Sequence, residues 1–410
     1  MIDVADRFGP PISSWSLKRR LIVAGVAFLV LMAGITPVTV AGVFRFRAPE
    51  LVTRIAPYDA DARATAAQNL LARTHNPAAA SAARIAALAA YRRDPTSVRA
   101  LSVIGLADAL APRTQPAASR IFHYVEALSR RDRVAQLWLI EEAVAANDIA
   151  GALRHYDTAM RTSEDMWARL FPILTAASAD PAIALPLNHL LANKPIWGRY
   201  FLAYAVGAST NSRSLVLLFH GLLDPRQEED RLLARRLANQ LITSEQFDLA
   251  WRFHDGLFGN RGRVHINDLD FRDHGDLPPF DWELADASGE LPDIRRRGGG
   301  SYAMYLPAAP QGDGLAARRL LRLAPGAYRF RALTGSVPAD ADRRPGIRIF
   351  CTAGGNLAQM QFPEGGGRLD EHFVVAPNCP YQWIGVSVRA SFGEAGGDSP
   401  WISSISADPA

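Results

Sequence analysis

The sequence predicts a multi-domain α plus β chain: one transmembrane helix, an α-solenoid of helical repeats, and a C-terminal antiparallel β-sandwich. Three observations carry this. Leu21 to Phe44 is a 24-residue run without a charge. From about Asp59 to Phe258, apolar residues recur at three- and four-residue spacing in text rich in Ala, Leu and Arg. After Gly259 that period stops, and short alternating runs appear between Gly, Pro, Asp and Asn. The resulting boundaries are a tail over 1–20, a span over 21–44, helical repeats over 59–258 and a sandwich over 262–410. A chain of 410 residues suits several domains, and 49% hydrophobic against 21% charged residues excludes a largely disordered one.

A helix over 21–44 would reach about 36 Å, enough for a hydrocarbon core of about 30 Å. Pro37 would kink it, which membrane helices tolerate. A core helix seldom runs this far without a polar face. The run also exceeds the apolar stretch of a cleaved signal peptide, and Thr39-Val40-Ala41 is a poor cleavage site. An uncleaved anchor is the expectation. Four basic residues precede the span (Arg7, Lys18, Arg19, Arg20) and four follow closely (Arg45, Arg47, Arg54, Arg63). The block abutting the span favours a cytoplasmic N-terminus.

In the helical region Ala83, Ala87, Ala90 and Pro95 form a pattern that restarts at Ala118 and Phe122, and again at Ala152, Tyr156 and Ala159. Ala250 falls near three further periods, and Glu228–Leu257 reads as one helix–turn–helix unit broken near Thr243-Ser244. Small residues at these positions let paired helices approach while Phe and Tyr fill the neighbouring groove. The spacing resembles the second helix of the tetratricopeptide repeat, over roughly 200 residues. That resemblance implies a stacked solenoid that binds a protein partner. A plain helical bundle is the alternative. Trp138, Trp167 and Trp197 read as core anchors. His123, His155 and His189 stand at no metal-ligand spacing and read as surface or satisfied core residues.

Seven or eight short strands are expected in the last region, with runs visible at Phe280–Leu284, Tyr302–Leu306, Ala327–Leu333, Gly346–Cys351, Phe373–Val375, Gln382–Val388 and Trp401–Ile405. Leu323-Ala324-Pro325-Gly326-Ala327-Tyr328 reads as a turn entering a strand. Asn267-Asp268, Asp270-Phe271, Pro279-Phe280-Asp281-Trp282 and the Leu323–Tyr328 turn resemble the opening strands of galactose-binding-type jelly rolls, the fold of many carbohydrate-binding modules. The whole chain resembles membrane-anchored tetratricopeptide-repeat proteins of polysaccharide-producing Gram-negative bacteria. The resemblance implies a role in cell-envelope or exopolysaccharide assembly. Rings to stack on sugar and polar groups to bond hydroxyls would come from Trp282, Tyr302, Tyr305, Tyr381, Gln382 and Trp383.

The two cysteines, Cys351 and Cys379, lie 28 residues apart in this region. They are either a disulfide or two separate buried thiols. A bridge would close a loop worth roughly 3–4 kcal/mol in the chain-entropy model. It would also place the region in an oxidising compartment, so an inner-membrane protein with a periplasmic body is expected.

Chemistry-bearing motifs are missing from the sequence. It contains no phosphate-binding loop ending in Gly-Lys-Ser/Thr, no Gly-x-Ser-x-Gly elbow, no His-Glu-x-x-His and no dinucleotide fingerprint. Arg297-Gly298-Gly299-Gly300 reads as a hairpin loop. The acidic stretch from His265 to Asp276 offers Asn267, Asp268 and Asp270 as oxygen ligands for a structural calcium, although its spacing is no EF-hand and a solvated junction is the default. Asp281 and Glu283 would share one strand face, as a glycan-cleaving carboxylate pair would require. A non-enzymatic scaffold without a cofactor is the leading expectation. A pure protein-interaction subunit and a glycan-active enzyme are the alternatives. The formal charge of +4 comes from scattered arginine, with only Lys18 and Lys194 as lysine, and forms no stripe for nucleic acid.

Overall fold

The computed structural model describes residues 16–73, 76–110, 113–258, 271, 277–286, 290–297, 301–307, 312–390 and 398–410. Two compact units emerge, Met1–Leu170 and Phe171–Ala410. The change from helices to strands after Phe258 falls inside the second unit rather than between the two.

The first unit opens with α1 (Leu17–Phe44), which starts earlier than the apolar run because Leu17-Lys18-Arg19-Arg20 adds one helical turn. It is the one described helix long and apolar enough to cross a membrane. Its side chains are exposed except near its end, where Ala41 packs with Val52, Ala56 and Ala62. Arg45 then pairs with Asp61 at 2.9 Å. These contacts fasten the base of α1 to α2 (Pro49–Ile55) and α3 (Ala60–Arg73).

Five helices follow in this unit: α4 (Pro77–Tyr91), α5 (Val98–Ala109), α6 (Gln115–Leu128), α7 (Arg133–Ala145) and α8 (Ile149–Thr162). Each packs on its neighbour in sequence. The starts are chemically marked. Asn76, Ser97, Asp132 and Asp148 each accept a hydrogen bond from a first-turn N–H, satisfying donors the helix itself leaves open. The repeated residues fall on α4, α6 and α8, and Ala83, Ala87, Ala90, Ala118, Phe122, Ala152, Tyr156 and Ala159 are all buried. The spacing thus selects the buried seam of alternate helices. Facing Phe122 on α5 is Gly105, where a Cβ would lie 2.8 Å from the ring. Of the three tryptophans, only Trp197 is fully buried; Trp138 is half-buried and stacks on Phe122 at 4.8 Å. His155 is a buried residue with partners, Gln136 at 3.0 Å and Glu126 at 3.4 Å. Burial pushes its pKa down, against the pull of Glu126.

Helix α9 (Trp167–Ala177) leads into the second unit, with α10 (Pro181–Ala192), α11 (Gly198–Ala208), α12 (Ser212–Phe219), α13 (Glu228–Thr243) and α14 (Phe247–Phe258). The break between α13 and α14 lies where Thr243-Ser244 placed it.

Ten strands follow among the described residues: β1 (Glu283–Leu284), β2 (Asp293–Arg296), β3 (Tyr302–Tyr305), β4 (Gly314–Leu321), β5 (Gly326–Gly335), β6 (Gly346–Cys351), β7 (Asn356–Gln361), β8 (Gly366–Val375), β9 (Gln382–Val388) and β10 (Trp401–Pro409). They form two five-stranded antiparallel sheets, ordered β1-β4-β9-β6-β7 and β2-β3-β10-β5-β8. The sandwich core between them includes Phe271, Trp282, Phe330, Ile349, Phe362, Ile384 and Ile402. Strands β2, β4 and β7 were not expected. Asp-Ile-Arg-Arg, Gly-Leu-Ala-Ala-Arg-Arg-Leu-Leu and Asn-Leu-Ala-Gln-Met-Gln carry few β-branched residues, so pairing with neighbours rather than local preference makes them strands. The expected strand over Phe280–Leu284 shrinks to two residues, because Phe280 and Asp281 close a turn onto Leu277. Gly298, Gly299 and Gly300 of the expected hairpin loop lie outside the described residues; on their flanks β2 and β3 pair, and Arg297 N–H donates to the Ser301 carbonyl at 2.8 Å.

Cys351 and Cys379 are bonded, with Cα atoms 5.6 Å apart. Their bridge ties the end of β6 to the loop entering β9. Helix α14 covers one side of the sandwich. Its Trp251 and His254 meet Phe280 at 4.9 and 4.6 Å, and Asp255 pairs with Arg322 at 3.1 Å.

Candidate functional site

Along β6 the alternation is strict: Ile347, Ile349 and Cys351 point into the core, which turns Gly346, Arg348 and Phe350 outward. On β9, Ile384, Val386 and Val388 go inward, leaving Trp383, Gly385 and Ser387 outside. Register sets Arg348 beside Gly385 on one flank and Gln359 on the other. The outer face of the β4-β9-β6-β7 sheet therefore carries an open groove of about 770 Å³. Gly346 and Gly385 lie on its floor. A Cβ on Gly346 would meet the Met360 carbonyl at 2.9 Å, and one on Gly385 would meet the end of Leu315 at 2.8 Å.

The groove walls combine polar and apolar groups. The Arg348 guanidinium lies over Phe350, 5.0 Å from its centroid, and donates to Asn356 Oδ1 at 3.3 Å. Ser387 Oγ donates to the Gly346 carbonyl at 3.3 Å. At one end Asp313 accepts from the Ala390 N–H at 2.7 Å and pairs with Arg389 at 2.8 Å. The backbone donor first, then Arg389, holds its carboxyl below the usual carboxylate range. Gln359 presents an exposed amide. A planar amide, a guanidinium and a hydroxyl beside apolar Leu315 and Phe350 can bond hydroxyl groups and cover a C–H face together.

The sequence candidates are scattered rather than gathered. Trp282 lies in the core, 2% exposed, with its ring 5.4 Å from Phe271. Gln382 is wholly buried: its Oε1 accepts from Leu323 N–H at 2.8 Å, and its Nε2 donates to the Cys379 carbonyl. That amide organises the loop beside the disulfide and faces no solvent. Trp383 is outward on the grooved sheet but only 8% exposed, under Arg318 at 4.7 Å. Burial thus removes Trp282 and Gln382 as sugar contacts, and Arg318 covers Trp383. Tyr381 is half-buried against α14, where its hydroxyl donates to Asp248 at 3.3 Å and its ring meets Phe247 at 5.8 Å. Burial, then Asp248, raises its pKa. Tyr302 bonds Arg296 through its hydroxyl at 3.1 Å, and Tyr305 lies outward under Arg295 on the other sheet.

Asp281 and Glu283 do not form a pair on one strand. Asp281 accepts from the Leu277 N–H at 2.9 Å in the turn before β1, while Glu283 pairs with Arg318 at 2.5 Å. Asn267, Asp268 and Asp270 lie outside the described residues. Sequence reasoning missed Arg348, Gln359 and Asp313. The first was legible in the Gly346–Cys351 alternation; the other two depended on β7 and on a loop closing against β9.

No known protein family matches the chain, and no curated protein does. Solved structures are similar to its β region. One is the carbohydrate-binding module CBM4, at 13% identity over 35% of this chain and 99% of that one, TM-score 0.26. Another is TmCBM61 in complex with β-1,4-galactotriose, at 15% identity over 32% and 88%, TM-score 0.24. A third is the enzymatically active domain of bacteriophage CBA120 tailspike protein 4, at 13% identity over 31% and 19%, TM-score 0.23. At these scores the likenesses assign no activity.

Proposed function

We propose that this chain is a non-enzymatic, membrane-anchored scaffold whose β-sandwich contacts glycan in the groove over β4, β9, β6 and β7. The observation that carries the reading is the groove itself, with a glycine floor flanked by Arg348, Gln359, Ser387 and Phe350. In this reading α1 anchors the chain in the bacterial inner membrane, the body lies in the periplasm, and the helical repeats hold a protein partner in polysaccharide assembly. The disulfide supports an oxidising location, and the repeated buried seam of α4, α6 and α8 supports a tetratricopeptide-like stack.

The test uses the full chain in a polyoxyethylene detergent, which carries no sugar, on immobilised neutral oligosaccharides. Saturable binding lost in the Arg348→Ala/Gln359→Ala double variant, with unfolding unchanged, supports the groove. Binding that survives the double variant sinks it.

A further inference from the structure

The other sheet carries a second surface of different chemistry. Its outer face follows from register: Asp293, Arg295 and Tyr305 share a side with Trp401, Gly335, Leu333 and Arg331. Trp401 is seated on a glycine. A Cβ at Gly335 would fall 2.2 Å from its Cζ2, so only glycine leaves room for the indole. Gly366, opposite Gly335 on β8, has no room for a side chain either: a Cβ there would lie 2.3 Å from the Gly335 Cα. With one side of the indole against Gly335, the Arg297 guanidinium stacks 3.4 Å from the ring centroid. The Arg295 guanidinium sits 4.0 Å over the Tyr305 ring.

Stacking fixes a guanidinium by its face and leaves its N–H edge outward. That edge is the fork that bonds a carboxylate bidentately. Among the described residues Arg297 pairs with no carboxylate, and Arg295 reaches only Asp293, at 3.7 Å. Five arginines project from this face (Arg295, Arg297, Arg329, Arg331 and Arg368) against three aspartates (Asp293, Asp370 and Asp408). Arg329 and Arg331 are held by Asp370 and Asp408. That leaves Arg297, stacked on Trp401 just after β2, and Arg368 on β8 as the arginines of this face with no carboxylate among the described residues, while Arg295 has both Asp293 and the Tyr305 ring beside it.

We infer that this face is a second glycan site, selective for acidic polysaccharide, in which Arg295 and Arg297 hold sugar carboxylates. The inference rests on the glycan reading of the sandwich and extends it in substrate class. Carboxylates along a polyuronate recur on a regular chain. Arg295 and Arg297 stand two residues apart on one side, about 7 Å along the strand direction. A membrane surface would need only diffuse charge, whereas these guanidinium groups are stacked on rings. Such stacking is useful where a planar anion must be met in one orientation.

The full chain in polyoxyethylene detergent is titrated with oligogalacturonate, with its methyl ester, and with phosphatidylglycerol vesicles. The ester keeps the sugar chain and removes the charge. Oligogalacturonate binding is expected to weaken about tenfold or more in Arg295→Gln/Arg297→Gln. Arg297→Lys, which keeps charge but loses the fork, should lose most of that affinity. Binding of the methyl ester should be unchanged by either. Equal affinity for acid and ester, or indifference of the acid to the double variant, overturns the inference. So does vesicle binding through these arginines without oligogalacturonate binding. The Arg348→Ala/Gln359→Ala variant separates the two readings. If it alone abolishes all sugar binding, the groove stands and the arginine face falls. If acid binding survives it but not the arginine substitutions, the face stands, and the groove is then judged by the methyl ester, whose binding the Arg348→Ala/Gln359→Ala variant should abolish.

Discussion

In helices α3 to α8 the packing runs between helices next to each other or one apart in the chain, whereas the sandwich is closed by distant pairings. Phe122 on α6 packs with Leu101 of α5 and Leu139 of α7. Tyr305 on β3, by contrast, lies opposite Trp401 on β10. The helices are set by one seam written repeatedly in the text; the sandwich needs its register, a disulfide and a covering helix. Local codes place helices, and only long-range pairing places a sheet surface. The groove and the arginine face are both products of that pairing.

The contrast can be broken at its strongest point in each half. Phe122→Ala should cost about 3–5 kcal/mol by opening a cavity between α5 and α7, read as an earlier helical transition in denaturant. A loss below about 1 kcal/mol would mean the seam is looser than its burial indicates. Removing the disulfide with a Cys351→Ala/Cys379→Ala double variant should cost the sandwich about 3–4 kcal/mol. The transition of α3 to α8 should stay in place; if it moves equally, the two regions do not melt separately.

The α14 contact adds a pH dependence to the second unit. His254 is enclosed by Trp251, Phe258 and Phe280 and faces Asp255, Arg319 and Arg322. Burial lowers its pKa from 6.5 to about 4, against the pull of Asp255. The folded protein thus favours the neutral ring. Its stabilisation is fully present above pH 6.5 and is lost as pH falls through about 4. The total is of order 3 kcal/mol. His254→Phe should flatten that part of the stability profile, and an unchanged slope would assign it elsewhere. The smallest expected effect is Asp148→Ala. It removes the 2.9 Å bond to the Gly151 N–H at the start of α8 and should cost about 1 kcal/mol in thermal unfolding.

Much of the helical architecture was legible. Ala83, Phe122 and Tyr156 announce a buried stripe because helical periodicity alone decides which residues share a face. The seat for Phe122 was not legible, since Gly105 matters only through the ring opposite it. In the sandwich, Ile347 and Ile349 revealed an inward face, but strands β2, β4 and β7 carry too little local preference to be read. Among the site residues, aromatic identity misled. Trp282 and Gln382 look like ligand groups in the text, yet one fills the core and the other bonds backbone. Trp401 went unmarked because its importance lies in the empty space above Gly335.

By itself the sequence determined the apolar helix α1, the buried stripe of α4, α6 and α8, and the switch to strands, because each is a property of residues near one another in the chain. Tertiary structure decided which strands neighbour each other, that Cys351 meets Cys379, and that Arg348 and Arg297 project from opposite sheets. Those outcomes depend on pairings between residues far apart in sequence, and a strand's register, not its composition, chooses which side chains face outward.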